Sequence, residues 1–212
     1  MEDLYFDCHI HSNYSHDSLM KPGGILKQAK RVGLTGVAIT DHDTIRGSLE
    51  AKKLEKEAEV TVIPGAEILT DSGDIIGLFI EEEIQSRRWE EVIDEIRDQG
   101  GVVVLPHPYR SHRNVLELAK AVDLIEVWNA RTTVEQNEMA LQLAKSFQKP
   151  GTYGSDAHTY GEIGNVRALV DPDTWEVKVV IRAEYSPRSA VVGSQITHYL
   201  KRREFLQLIQ SG

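Results

Sequence analysis

Phe6-Asp7-Cys8-His9-Ile10-His11 places two histidines two residues apart in an apolar stretch close to the N-terminus. Side chains alternate faces along a strand, so His9 and His11 point one way, Cys8 and Ile10 the other, and both imidazoles reach toward one ion. A lone His-x-His pair is more often a surface or core pair than a metal site. Four further islands alter that reading, each closing an apolar run: Thr40-Asp41-His42-Asp43, Pro64-Gly65-Ala66-Glu67, Pro106-His107-Pro108 and Gly154-Ser155-Asp156-Ala157-His158. Strands feeding a barrel end at one rim, where residues from different strands converge on a site.

Working outward, a polar loop over residues 11–18 leads to a helix over residues 22–32, with Pro22 near its start, Ile25, Leu26, Ala29 and Val32 at helical spacing, and Gly33 at its close. A buried strand over 36–40, a Lys/Glu/Leu/Ala-rich helix over 44–59 and a strand over 60–63 turned by Pro64-Gly65 come next. Asp71-Ser72-Gly73 marks a tight turn, so the fourth strand, 74–80, is expected as a hairpin-like detour. Helices over 89–99, 115–121 and 133–148 alternate with strands over 102–105, 123–128 and 151–154. Residues 175–183 fit helix and strand equally, and 194–210 read as a basic-faced terminal helix with His198 on its surface. This alternation predicts parallel βαβ units in a closed or nearly closed barrel. A doubly wound open sheet is the alternative, but it would gather ligands mainly at one switch point.

The chain has 212 residues, enough for one sizeable core. A single domain is expected over residues 1–212, the motif-bearing barrel covering roughly the first 170 and residues 171–212 completing it or packing on it. Apolar residues make up 41% and charged residues 27%, which excludes a disordered class. The net charge of -9 argues against broad adhesion to nucleic acid or anionic lipid, but not against a small phosphate ligand. No run is long enough to span a membrane, and Met1-Glu2-Asp3 lacks the start of a signal peptide, so a cytoplasmic location is expected. Cys8 is the single cysteine. A disulfide and a thiolate cluster are thereby excluded within the chain, any metal falls to nitrogen and oxygen ligands, and Cys8 is read as a small core residue on the outward face of its strand.

Eight residues stand out as ligands: His9, His11, Asp17, His42, Glu67, His107, Asp156 and His158. A catalytic zinc takes about three protein ligands, so two or three divalent ions are implied, and imidazole with carboxylate suits manganese, zinc or iron. His16 is the alternative to Asp17. His112, with Arg110 and Arg113, follows the Pro-His-Pro island, where a solvated loop and a substrate contact are both open readings.

In order and spacing these islands resemble the motifs of the polymerase and histidinol phosphatase family, the PHP phosphoesterases: His-x-His, a ligand six residues on, Thr-Asp-His, Pro-Gly-x-Glu, Pro-His-Pro and Ser-Asp-x-His. The resemblance implies an α/β fold, a distorted (β/α)7 barrel with metals at the C-terminal ends of the strands, and carries over the eight ligands named above. It assigns His9, His11, Glu67 and Asp156 to a first ion, Asp17, His42 and His158 to a second, and Glu67 as a bridge to a third at His107. The histidine that often completes the third ion is missing near strand six, which leaves either Asn129 or Glu126 as its substitute or a weak third site. Val127-Trp128-Asn129-Ala130-Arg131 resembles a phosphate-contacting segment of the short phosphoesterases, making Arg131, Asn129 and His112 candidate substrate contacts, with a Glu135 salt bridge as the bland alternative for Arg131.

Clustered ions lower the pKa of a bridging water toward neutrality and clamp phosphoryl oxygens. The expected activity is therefore hydrolysis of a small phosphomonoester by a metal-bound hydroxide, the substrate being a nucleotide, a short oligonucleotide or a phosphorylated metabolite. A regulatory or metal-binding PHP domain with little activity is the second reading. An amidohydrolase barrel is the third; its eight units would be cramped here, and no strand-end lysine offers a carbamylated bridge. Only 39 residues separate Glu67 from His107, too few for an inserted pocket-forming domain. Neither composition nor motif sets an oligomeric state.

Overall fold

The structure, a computed structural model, describes residues 4–170 and 177–182. In chain order its elements are β1 (Leu4–Ile10), α1 (Pro22–Arg31), β2 (Gly36–His42), α2 (Arg46–Ala58), β3 (Thr61–Thr70), β4 (Gly73–Leu78), α3 (Trp89–Asp98), β5 (Val102–Leu105), α4 (Val115–Ala121), β6 (Leu124–Asn129), α5 (Val134–Ser146), β7 (Gly151–Gly154), β8 (Val166–Val170) and β9 (Val177–Arg182). The helices form where the apolar spacing predicts. In α3, Val92, Ile93 and Ile96 make the buried stripe, each such side chain contributing about 1.5–3 kcal/mol. α5 is started by a capping box between Thr133 and Gln136.

The strands run in the order β7-β6-β5-β4-β3-β2-β1-β8-β9. β1, β2 and β3 pair in parallel, as do β5, β6 and β7. β4 is antiparallel to both neighbours, the hairpin detour expected from Asp71-Ser72-Gly73. Past β7 the chain returns to β1: Ile10 bridges Ala157, and the His11 N–H donates to the Ala157 carbonyl at 2.9 Å. Lower on the same edge of β1, Leu4 to Phe6 pair with β8. The barrel is thereby nearly closed, and residues 177–182, ambiguous in the sequence, are the strand β9 beside β8. The expected terminal helix over 194–210, with His198, lies outside the described residues. Among the described residues no helix is long and apolar enough to cross a membrane.

Two expectations need correction. Pro64-Gly65 does not turn the third strand; β3 continues through it to Thr70, so Glu67 sits within a strand, paired with His42 on one side and Ile76 on the other. Proline is compatible here because its carbonyl still accepts, from the Phe79 N–H at 2.7 Å. Strict alternation also fails in β1. Its register on β2 advances three residues from Asp7 to Ile10 against two from Val37 to Ile39, a bulge that shifts the side-chain phase. Cys8 therefore packs with the small inner cluster of Ala38, Ile76, Leu78 and Val104, while Ile10 joins the shell under α1 with Ile25, Leu26 and Ile39. Cys8 is not on an outward face. Burial pushes its thiol up to about 12, which keeps it protonated and inert.

Candidate metal centre

The small apolar floor of the barrel leaves a polar layer above it, and Glu67 is its hub. The carboxylate is fully buried; Oε1 lies 2.9 Å from His107 Nε2, and Oε2 lies 3.4 Å from His9 Nε2, 3.3 Å from His11 Nε2 and 3.3 Å from His42 Nδ1. Four histidines from three segments, the end of β1, the end of β2 and the turn after β5, thus meet one carboxylate. His9 Nε2 and His11 Nε2 are 3.0 Å apart. Asp156 Oδ1 stands 3.7 Å from His9 Nε2 and 3.3 Å from His11 Nε2. Across the cluster Asp17 Oδ2 is 2.8 Å from His158 Nε2 and 3.7 Å from His42 Nε2. His107 and Asp156 adopt left-handed backbone, φ 28° and 54°, conformations that carry a strain of about 1–3 kcal/mol each and are held by the surrounding fold.

All eight candidate ligands converge. Sets whose ligand atoms lie within 4.8 Å of one another are His11, Asp17, His42 and His158; His9, His11 and Glu67; His9, His107 and Asp156; and Glu67, Asp74 and His107. His11 is shared between the first two sets, and His107 groups with His9 and Asp156 as well as with Glu67, so the partition implied by the resemblance is blurred at both residues. Asp17 rather than His16 meets His158; His16 is exposed, its ring 4.8 Å from that of His42.

Electrostatics follow from burial against crowding. Burial disfavours charge on His9, but Asp156, Glu126 and Glu67 outweigh it and raise its pKa well above the ordinary value. In His11 burial and the His158 and His42 rings depress it well below. His42 rises to about 9: burial works against this, but Asp17 and Glu67 dominate. Asp17, Glu67 and Asp156 are held low despite burial, by His158 and His42, by His9 and His107, and by Arg110 and His9 respectively. Asp17 Oδ1 and Asp156 Oδ1 are nevertheless buried with no hydrogen-bond partner. Buried carboxylate oxygens without donors, Asp156 Oδ1 among them facing the nitrogens of His9 and His11, fit divalent cations held by nitrogen and oxygen.

The residues around these ligands support them in ways the linear sequence does not display. Neither substitute for the third ion is free: Glu126 Oε1 is 3.0 Å from His9 Nδ1, its Oε2 accepts from the His107 N–H and the Asn129 amide, and that amide also donates to Asp156 Oδ2 at 3.2 Å. Asn129 is thus a buried cross-link. The residue that joins Glu67 and His107 is Asp74, on β4, its carboxyl pushed up to about 6 by burial and then Glu67. Its signal was available, since it precedes Ile76 and Leu78 at strand period two, and they line the inner floor.

Arg110 also reaches the ligands directly. Its guanidinium bonds Asp156 Oδ2 at 2.6 Å while its side chain stays 32% exposed. Arg131, 6% exposed, lies deeper; its Nη1 contacts the His158 ring at Nδ1 and the Asp156 carbonyl. His112 points back into the wall, Nε2 2.7 Å from the Asp74 carbonyl, and burial with the His107 ring lowers it to about 4.

A family model for the PHP domain matches residues 7–177. An uncharacterized protein of Methanocaldococcus jannaschii is 50% identical over 114 residues, 49% of this chain and 67% of the relative. Among solved structures, a two-domain protein of Bacteroides vulgatus containing a predicted PHP-like metal-dependent phosphoesterase superimposes with a TM-score of 0.66 at 18% identity, over 91% of this chain but only 63% of that protein. An amidohydrolase of Chromobacterium violaceum with bound sulfate superimposes with a TM-score of 0.65 at 17% identity, over 89% of this chain and 96% of that one. At such identities these likenesses establish the fold alone, and they do so equally for two reaction classes. The family model spans every one of the eight convergent residues, from His9 to His158, and on that match the chain belongs to the PHP domain family.

Proposed function

We propose that this protein is a metal-dependent phosphoesterase that releases phosphate from a small phosphomonoester such as a nucleotide, a short oligonucleotide or a phosphorylated metabolite. The observation that carries the reading is the Glu67 carboxylate in contact with four histidines, beside buried carboxylate oxygens that lack donors. His9, His11, Glu67, Asp156, Asp17, His42, His158, His107 and Asp74 would hold two or three ions, with manganese, zinc and iron all suited to the donor set. Bound there, such ions lower the pKa of a water and neutralise charge on phosphoryl oxygens.

The chain's own residues do the rest. Arg110, half-buried at the mouth and anchored on Asp156, presents its remaining guanidinium donors to an entering phosphate, a planar fork suited to two oxygens. Arg131 braces His158 and serves as a second donor behind it. Strands β1, β2, β3 and β4 hold His9, His42, Glu67 and Asp74, and the segments leaving β1, β5 and β7 bring the other ligands to the same rim.

The test is release of inorganic phosphate from a panel of mononucleotides, dinucleotides and sugar phosphates by manganese-loaded protein, with amide substrates in parallel. Turnover of phosphomonoesters that chelation abolishes is expected. Amide hydrolysis alone would move the protein to the amidohydrolase reading, and metal binding without turnover of either class would make it a regulatory domain.

A further inference from the structure

The loop after β1 and the end of β2 share a buried hydrogen-bond relay that touches two of the candidate ligands from behind. Asp41 is buried beneath the cluster. Its Oδ1 accepts from the Ser12 N–H at 2.5 Å and from the Ser15 hydroxyl at 2.9 Å, and its Oδ2 from the Ser12 hydroxyl at 2.6 Å. Ser15 Oγ in turn lies 3.1 Å from His11 Nδ1 and accepts the His42 backbone N–H at 2.9 Å.

The direction of these bonds follows from the proton count. A carboxylate only accepts, so the single Ser15 hydroxyl proton is committed to Asp41. Ser15 Oγ then meets His11 as an acceptor, which requires the proton of a neutral His11 ring to sit on Nδ1. The Nε2 lone pair is left facing Glu67 Oε2 and Asp156 Oδ1, both 3.3 Å away. The same oxygen, through the His42 N–H, fixes the backbone at the second ligand. The fold makes room for the relay at one point: a Cβ on Gly47, in the first turn of α2, would fall 1.9 Å from Asp41 Oδ2 and 2.3 Å from Ser12 Oγ.

We infer that Asp41 and Ser15 are positioning residues that hold His11 as the Nδ1–H tautomer and set His42, so that the metal centre is pre-shaped before an ion arrives. The inference rests on reading the cluster as a metal centre, but its first test does not. Long-range 15N–1H correlation spectra of wild-type protein, chelated free of metal, report the tautomer of each neutral histidine. His11 is expected with its proton on Nδ1; a proton on Nε2 would overturn the inference. The second test is Mn2+ titration followed by electron paramagnetic resonance. Ser15→Ala should weaken Mn2+ binding by about 10–100-fold, the usual cost of removing a partner behind a metal-ligating histidine, and should mix the His11 tautomers. Circular dichroism and the melting temperature in chelator establish that the variant is folded. Equal Mn2+ affinity in wild type and folded Ser15→Ala would overturn the relay while leaving the metal centre intact. Absence of Mn2+ binding by wild type would instead overturn the metal reading, and the spectra of the chelated protein would still decide the tautomer.

Discussion

Glu126 Oε1 lies 3.0 Å from His9 Nδ1, and both groups are buried. The other oxygen of Glu126 accepts the His107 N–H at 2.8 Å, so one carboxylate on β6 orients a ring from β1 and a backbone turn after β5. A proton held on His9 Nδ1 leaves its Nε2 for the cluster, the arrangement that raises ligand basicity in carboxylate–histidine–metal triads. Glu126→Gln replaces one acceptor by an amide that faces donors. Mn2+ affinity is expected to fall about 10–100-fold, and the melting temperature to drop, because a buried donor left unsatisfied costs about 1–3 kcal/mol. Metal titration and thermal unfolding check both; unchanged affinity would make Glu126 a purely structural residue.

Glu67 is the stronger case, because one carboxylate meets His9, His11, His42 and His107. Glu67→Gln keeps size and removes the anion that balances clustered cations. Loss of bound metal and of turnover, with retained secondary structure by circular dichroism, is the expected outcome of elemental analysis and phosphate-release assays. Full occupancy in this variant would contradict the hub role.

The two arginines separate by what they touch. Arg110→Lys keeps a charge beside Asp156 but loses the fork, so kcat/KM should fall by roughly one to two orders of magnitude at near-normal metal content. Arg131 contacts the His158 ring and the Asp156 carbonyl, so Arg131→Lys should lower metal affinity together with the rate. Parallel kinetics and metal analysis of the two variants decide the assignment; a rate unaffected by Arg110→Lys would remove it from the phosphate site.

Metal binding should release protons. Asp17 and Glu67 hold the His42 pKa at about 9 against its burial, so the ring is protonated at neutral pH without a cation, and only the neutral imidazole ligates. Apparent Mn2+ affinity is therefore expected to rise as pH increases through neutrality, levelling above about 9, where the proton is already gone. Calorimetric titration in buffers of different ionisation enthalpy measures the protons expelled; a pH-independent affinity from 6 to 9 would contradict the shift.

Gly47→Ala tests the packing beneath the relay. At an ordinary helical position alanine would gain about 1 kcal/mol over glycine. Here the new Cβ would overlap Asp41 Oδ2, so a loss of about 1–3 kcal/mol in denaturant unfolding is expected instead. A stabilised variant would show that Asp41 moves freely.

Much of this protein was legible in the chain because its signals are local. The ligand islands sit at fixed spacings beside apolar runs, and helical and strand periods are set within a few residues, so the barrel, the hairpin at Asp71-Ser72-Gly73 and the convergence of His9, His11, Asp17, His42, Glu67, His107, Asp156 and His158 follow from sequence alone. What only the tertiary structure decided depends on register and on distance across the barrel. The bulge in β1 comes from pairing with β2, and it turns Cys8 inward beside His9. Asp74 enters the cluster because β4 runs antiparallel beside Glu67, and Arg110 meets Asp156 across 46 positions of sequence. Glu126 and Asn129 are drawn into holding ligands rather than supplying them, since a buried carboxylate takes whatever donors the neighbouring strands bring, and strand order is a property of the folded whole.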